Sequence, residues 1–198
     1  MDLPSELRRR VTREEINDLP IRRYEGVVQV IARSDEIALA LDNILEESVV
    51  GFDTETRPSF RVGESHPPAL AQIATGRAVY LFQVRSRDIA AAVARILGEA
   101  HIVKAGIGLA DDLKALKKVI EFAEKSIVDL GTVAKRHGLE QSGVRNLVGL
   151  FLGFRIPKGT KTSNWSRPRL TEQQITYAAT DAWACRELYL LFRSRGLV

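Results

Sequence analysis

The sequence predicts an α/β fold: a single domain built on a mixed central β-sheet with α-helices on its faces. Three observations predict it. Short runs rich in Val, Ile, Phe and Tyr follow one another between residues 27 and 84, with turn residues between them, as meandering strands do. Helical and strand patterns are mixed thereafter, which places helices against the sheet. The 198 residues are 45% hydrophobic and 27% charged, enough for one full core, with no repeat, low-complexity tract or linker to divide it.

The elements follow in order. Residues 1–24 form an N-terminal arm, and 25–198 form the domain. The first 25 residues hold six basic and six acidic groups and little apolar pattern, so any packing rests on Ile16, Leu19 and Tyr24. "VVQVIA" (27–32) reads as a strand, and Ser34 as the cap of a helix with Asp35 and Glu36 in its first turn. "SVVGFDTET", "ALAQIAT" and "AVYLFQV" are the next three strands, with a tight turn at Gly76 and Arg77. A helix, "DIAAAVARIL", and a strand, "HIVKAGI", come next, and from there the pattern is helical almost to the end. In the last helix Thr171 and Gln174 form a capping box, with Pro168 just upstream.

Composition narrows the function. A net charge of +4 permits an anionic partner without naming one. A single cysteine, Cys185, excludes a disulfide framework and a cysteine-ligated zinc site. The opening residues lack the apolar core of a signal peptide, and no run reaches membrane-spanning length. A soluble, cytoplasmic protein with no membrane partner is expected.

The informative residues are carboxylates in apolar settings. Asp53 and Glu55 end an apolar strand two residues apart, so both point to one face. Read alone, such a pair also fits a strand end emerging into solvent. In "GIGLADDLKALKKVI" a helix is entered through Gly106 and Gly108, and at about 3.6 residues per turn Leu109, Leu113, Leu116 and Ile120 form one stripe. Asp112 lies at the edge of that stripe and Asp111 nearly opposite, although both also suit a helix N-terminus. Asp181 shares an apolar row with Ala178, Cys185 and Leu188, with Tyr177 one turn earlier. A carboxylate there needs a partner: an arginine, a backbone amide or a metal. Four acids converging on one sheet end would select a hard cation, Mg²⁺ or Mn²⁺.

"FDTET", "KAGIGLADDLKAL" and "YAATDA" resemble, in order and spacing, the three motifs of the DEDD exonucleases, and Tyr177 four residues before Asp181 marks the tyrosine subgroup. "SNWSRPRLTEQQITYAATDA" is similar to the Werner-type branch of that family. The resemblance covers roughly residues 25–195. It implies a ribonuclease H-like fold and 3'-5' hydrolysis of nucleic-acid strands to nucleoside 5'-monophosphates by a two-metal-ion mechanism. By motif position, Asp53 bridges two divalent cations, Glu55 and Asp181 complete one site, and Asp112 serves the other. The same resemblance has Tyr177 orient the attacking water by a hydrogen bond; a phenol of pKa about 10 is a poor base at neutral pH, so a metal-bound hydroxide is the expected nucleophile.

Residues 153–169 hold five basic groups and no acids, with Phe154 and Trp165 interleaved, a composition suited to a single strand. Lys158, Lys161, Trp165 and Arg167 are the candidate contacts there, although Trp165 also reads as a core residue. Arg57 and Phe60, just after the acids, suit phosphate and a stacked base, and Leu70 and Gln72 a base pocket. His66, His101 and His137 read as structural or surface groups.

DNA is the favoured partner on the Werner-type likeness, with single-stranded or recessed 3' ends. An exoribonuclease, a small-nucleotide phosphatase and a non-catalytic adaptor are the rivals. No motif acid is lost, which argues against the adaptor. A recruiting protein is compatible with the sequence but not named by it.

Overall fold

The computed structural model describes residues 9–59, 63, 66–158 and 163–198. Among these, six strands form one mixed sheet: β1 (Val27–Ile31), β2 (Val49–Thr56), β3 (Pro68–Ala74), β4 (Ala78–Gln83), β5 (Val103–Gly106) and β6 (Ile127–Asp129). Their spatial order is β1-β4-β3-β2-β5-β6. The β2–β3–β4 meander is antiparallel, whereas β1 joins β4, β5 joins β2 and β6 joins β5 in parallel. The turn at Gly76 and Arg77 is closed by Thr75, whose N–H donates to Ala78 O at 2.9 Å while its hydroxyl accepts from the Ala78 N–H at 3.0 Å.

The sheet is covered on both faces, and β3 and β4 are buried along their whole lengths. Helices α2 (Ile37–Leu45), α3 (Arg87–Gly98) and α4 (Leu109–Leu116) share one core with Val50, Phe52, Ala71 and Ile73. Helices α5 (Leu130–Arg136), α6 (Val144–Leu152) and α7 (Glu172–Ser194) cover the other face. The expected capping box opens α7, with Thr171 and Gln174 each accepting the other's backbone N–H, at 3.2 and 3.0 Å.

Four details depart from expectation. The N-terminal segment contains a helix, α1 (Arg13–Asp18), closed by a Thr12–Glu15 capping box. It is docked through Ile16, as expected, against Gly149, and Tyr24 packs on Trp183 at 6.1 Å. Ser34 does not cap α2. It opens a short 3-10 turn and its hydroxyl donates to Asp88 at 2.8 Å, while the Glu36 carboxylate takes the N–H groups of Ala32 and Arg33 at 2.8 and 3.0 Å. Helix α4 stops at Leu116, so Ile120 joins the same core from beyond the helix. The region after β5 also contains a strand, β6, whose three residues are too few to show an alternating pattern. Among the described residues no helix is long and apolar enough to cross a membrane.

Candidate active site

Alternation along β2 divides its last residues between the two faces. Val50 and Phe52 enter the α2–α3–α4 core, so Thr54 faces that side and Asp53 and Glu55 face α7. Gly51, on the same face as the acids, explains how closely α7 lies. A Cβ there would sit 1.9 Å from Ala182 O. That approach brings Asp181 over β2, where it is 5% exposed among Ala178, Ala182 and Cys185. The Tyr177 hydroxyl donates to the Asp181 carboxylate, one helical turn away.

Asp112 reaches the same strand end from the opposite face. Gly106 lets β5 approach β2, since a Cβ there would lie 2.3 Å from Phe52 O. Gly108 then turns the chain with φ 75°, a left-handed conformation that glycine adopts without strain, and α4 begins. Asp129, at the end of β6, fixes that start: its carboxylate accepts from Leu109 N–H and from Thr132 N–H, each at 3.0 Å, tying α4 to α5. In the first turn Asp111 faces solvent and Asp112 is half-buried, as the helical stripe predicts. The Thr54 hydroxyl donates to Asp112 Oδ1.

These carboxylates oppose one another's charge. Burial, then Asp181, Asp112 and Glu55, push Asp53 well above the usual carboxylate range. Burial, followed by Asp181 and Asp112, raises Glu55 to about 8. Burial also raises Asp112 against the Thr54 hydrogen bond, and lifts Asp181 to about 6 against the Tyr177 hydroxyl and the Arg145 charge. Burial, then Asp181, Glu55 and Asp53, push the Tyr177 phenol further up, away from any role as a base. Asp181 Oδ1 is buried without a hydrogen-bond partner. Hard oxygen donors that disfavour each other's ionisation, one of them orphaned, fit a divalent cation in donor type and charge. Among the described residues no three of them close on a single point as a ready-made metal cage, so the fit is one of donor chemistry.

The 3'-5' exonuclease family model matches residues 28–196. The chain belongs to the 3'-5' exonuclease family. Members of this family generally use divalent metal ions. The bifunctional 3'-5' exonuclease/ATP-dependent helicase WRN of Mus musculus is 33% identical over 183 residues, covering 87% of this chain but only 13% of that protein. The crystal structure of the Aedes aegypti Nibbler EXO domain superposes with a TM-score of 0.76 at 24% identity, over 88% of this chain and 90% of that one. Escherichia coli RNase D, described as an exoribonuclease involved in structured RNA processing, gives a TM-score of 0.71 at 22% identity over 86% of this chain and 46% of its own. Both likenesses establish the shared ribonuclease H-like exonuclease fold.

The other expected contacts of this exonuclease domain scatter. Arg57 is exposed just after the acids, and Lys158 is exposed beside a cleft of about 330 Å³ that Tyr177 also lines. Arg167 is exposed, and its carbonyl accepts from Gln83 Nε2 at 3.2 Å. Phe60 and Lys161 lie outside the described residues. The expectation that aromatics offer open stacking faces is corrected. Trp165 is 3% exposed and packs behind Tyr177, with ring centroids 6.1 Å apart. Phe154 is buried and stacks on Trp183 at 5.6 Å. Leu70 and Gln72 are likewise buried, so they line no open base pocket. They pair across the sheet with Glu55 and Asp53, and the Gln72 amide has no hydrogen-bond partner.

Four residues that shape the site were not anticipated. Gly51 and Asp129 set the approach of α7 and α4, Thr54 holds Asp112, and Arg145 on α6 places its charge within reach of Asp181. A glycine two residues before a strand-end acid is a readable hint. The others act through tertiary contacts with no local signature.

Proposed function

We propose that this exonuclease domain shortens nucleic-acid strands from the 3' end and releases nucleoside 5'-monophosphates, acting on DNA in preference to RNA at single-stranded or recessed ends. The observation that carries the reading is the buried, orphaned oxygen of Asp181, a carboxylate whose charge bears on Asp53 and Glu55 at the end of β2. Asp53, Glu55, Asp112 and Asp181 would hold two divalent cations, Mg²⁺ or Mn²⁺. When bound, these supply charge neutralisation at the phosphoryl group, activation of water and stabilisation of the leaving oxygen. The protein's own residues supply position. Thr54 restrains Asp112, and Tyr177 restrains Asp181 while presenting its hydroxyl oxygen to an attacking water. Water adds to the terminal phosphorus and gives up a proton, the bond to the 3'-oxygen of the preceding nucleotide breaks, and that oxygen takes up a proton. Lys158 and Arg57 are exposed cations suited to the flanking phosphates.

The DNA preference rests on the likeness to the Werner-type branch. The test is a gel assay on matched 5'-labelled single strands of DNA and RNA with Mg²⁺, with Mn²⁺ and with chelator, beside Asp53→Ala. The expected result is a ladder shortening from the 3' end, faster on DNA, and absent with chelator and in the variant. Faster RNA shortening would reverse the substrate assignment, and an intact strand under every metal would overturn the nuclease reading.

A further inference from the structure

A second basic site lies outside the acid cluster. The N-terminal segment and α6, with Gln141 and Lys158 on either side of α6, border an open cleft, a cavity of about 580 Å³ whose lining includes Arg10, Arg13, Arg145 and Lys158 and, among the described residues, no carboxylate. The cavity is built rather than incidental. The Gln141 side-chain amide accepts from Val11 N–H at 2.8 Å and donates to Val11 O at 3.0 Å, gripping the segment at both backbone groups. Ile16 then seats against Gly149, where a Cβ would lie 2.4 Å from Ile16 Cδ1.

Three features make this cavity attract an anion. Its cations are unopposed by acids within the lining. Arg145 Nε is buried with no hydrogen-bond partner, a donor whose desolvation goes uncompensated in the free protein. Arg145 also stands in the first turn of α6, which begins at Val144 after Gly143 with no side-chain cap, so the positive end of the helix faces the same region. The cavity adjoins the acid cluster in two ways. Lys158 lines both it and the cleft beside Tyr177, and the Arg145 charge acts on Asp181.

We propose that this cavity holds the phosphodiester backbone of the substrate strand, upstream of the 3'-terminal nucleotide. The proposal rests on the exonuclease reading for the direction of the strand. With the 3' end at the acids, the chain of phosphates leaves past Lys158 and runs between the N-terminal segment and α6. Those interactions are sequence-independent.

The test separates this site from general charge. Binding of a labelled single strand of a dozen nucleotides to the full chain is followed by fluorescence anisotropy in chelator, without turnover, at several salt concentrations. The variants are Arg10→Gln/Arg13→Gln, Arg145→Gln, and the uncharged change Gln141→Ala, which releases the grip on Val11. Arg87→Gln/Arg95→Gln removes equal charge from α3, on the opposite face of the sheet. The first double variant is expected to weaken binding and to reduce the slope of log affinity against log salt by about 1.4, at about 0.7 for each phosphate that is no longer neutralised. Arg145→Gln and Gln141→Ala are also expected to weaken binding, and the α3 variant to change it less than any of them. Affinity and slope equal to wild type in the cavity variants would overturn the proposal, as would an equal loss in the α3 variant. The outcome does not depend on cleavage. A wild-type chain that binds through this cavity and cuts nothing with Mg²⁺ or Mn²⁺ would overturn the nuclease reading and leave the cavity standing.

Discussion

Gly51 and Ala182 meet so closely that the Ala182 carbonyl oxygen lies 1.9 Å from where a side chain on Gly51 would begin. The meeting sets the height of α7 above β2, and therefore the separation of Asp181 from Asp53. Gly51→Ala forces backbone against a methyl group. Overpacking of this kind costs about 1–3 kcal/mol. The expected outcome is a lower urea midpoint and a loss of strand shortening larger than the stability change explains, measured where the variant is still folded. Wild-type activity in Gly51→Ala would show that α7 does not set the geometry of the acids.

The proposed metal should stabilise the fold as well as serve the reaction. A ligand that binds only the folded state at 100 times its Kd adds about 2.7 kcal/mol. Mn²⁺ or Mg²⁺ is expected to raise the melting temperature of the wild-type chain, and chelator to reverse the rise. Asp53→Asn removes a carboxylate that every neighbouring acid opposes. It is expected to melt higher than wild type in chelator and to respond less to metal. A metal-dependent rise of equal size in Asp53→Asn would remove that residue from the proposed metal site.

Much of this arrangement is legible in the sequence because its signals are local. The alternation that puts Asp53 and Glu55 on one face, the stripe that separates Asp112 from Asp111, and the apolar row holding Asp181 all act within one element, and the structure repeats them. The capping box of α1 is equally local, in Thr12 and Glu15, yet one buried residue in a six-residue helix leaves no periodicity to notice. The rest depends on partners far apart in the chain. Nothing near Arg145 announces Asp181, and nothing near Trp165 announces the Leu70–Ala178 core that buries it. Aromatics between basic residues look the same in sequence whether they stack on bases or on each other.

Thr54 is the simplest test of how Asp112 is held. Thr54→Val keeps the volume but loses the hydroxyl that donates to Asp112 Oδ1. A net hydrogen bond to a charged group is worth about 1.5–3 kcal/mol. Strand shortening is expected to fall, though less than in Asp112→Asn, and Thr54→Ser to restore it. Full activity in Thr54→Val would make the hydrogen bond incidental.

Tyr177→Phe removes the hydroxyl that donates to Asp181 and leaves the ring against Trp165. Misplacement of a reacting group by about 1 Å costs roughly 100-fold. The expected change is a fall in kcat of roughly that size or less, with KM nearly constant and the melting temperature little altered. A rise in KM at constant kcat would instead assign Tyr177 to substrate binding.

Lys104 provides a pH test away from the acids. It is fully buried on β5, with its ammonium donating to Glu99 O at 2.6 Å and Ile102 O at 2.8 Å, and burial lowers it from 10.5 to about 8. The folded protein therefore releases this proton before the unfolded chain does. Below about pH 8 both states are protonated and the cost of the buried charge is present in full. Between about 8 and 10.5 the unfolded chain binds more protons, so this group's contribution to stability rises with pH. Lys104→Met lacks the contribution. The stability of wild type relative to Lys104→Met, from urea unfolding at each pH, is expected to increase across that window. A difference that stays flat from about pH 8 to 10.5 would mean that the two carbonyls compensate the buried charge fully.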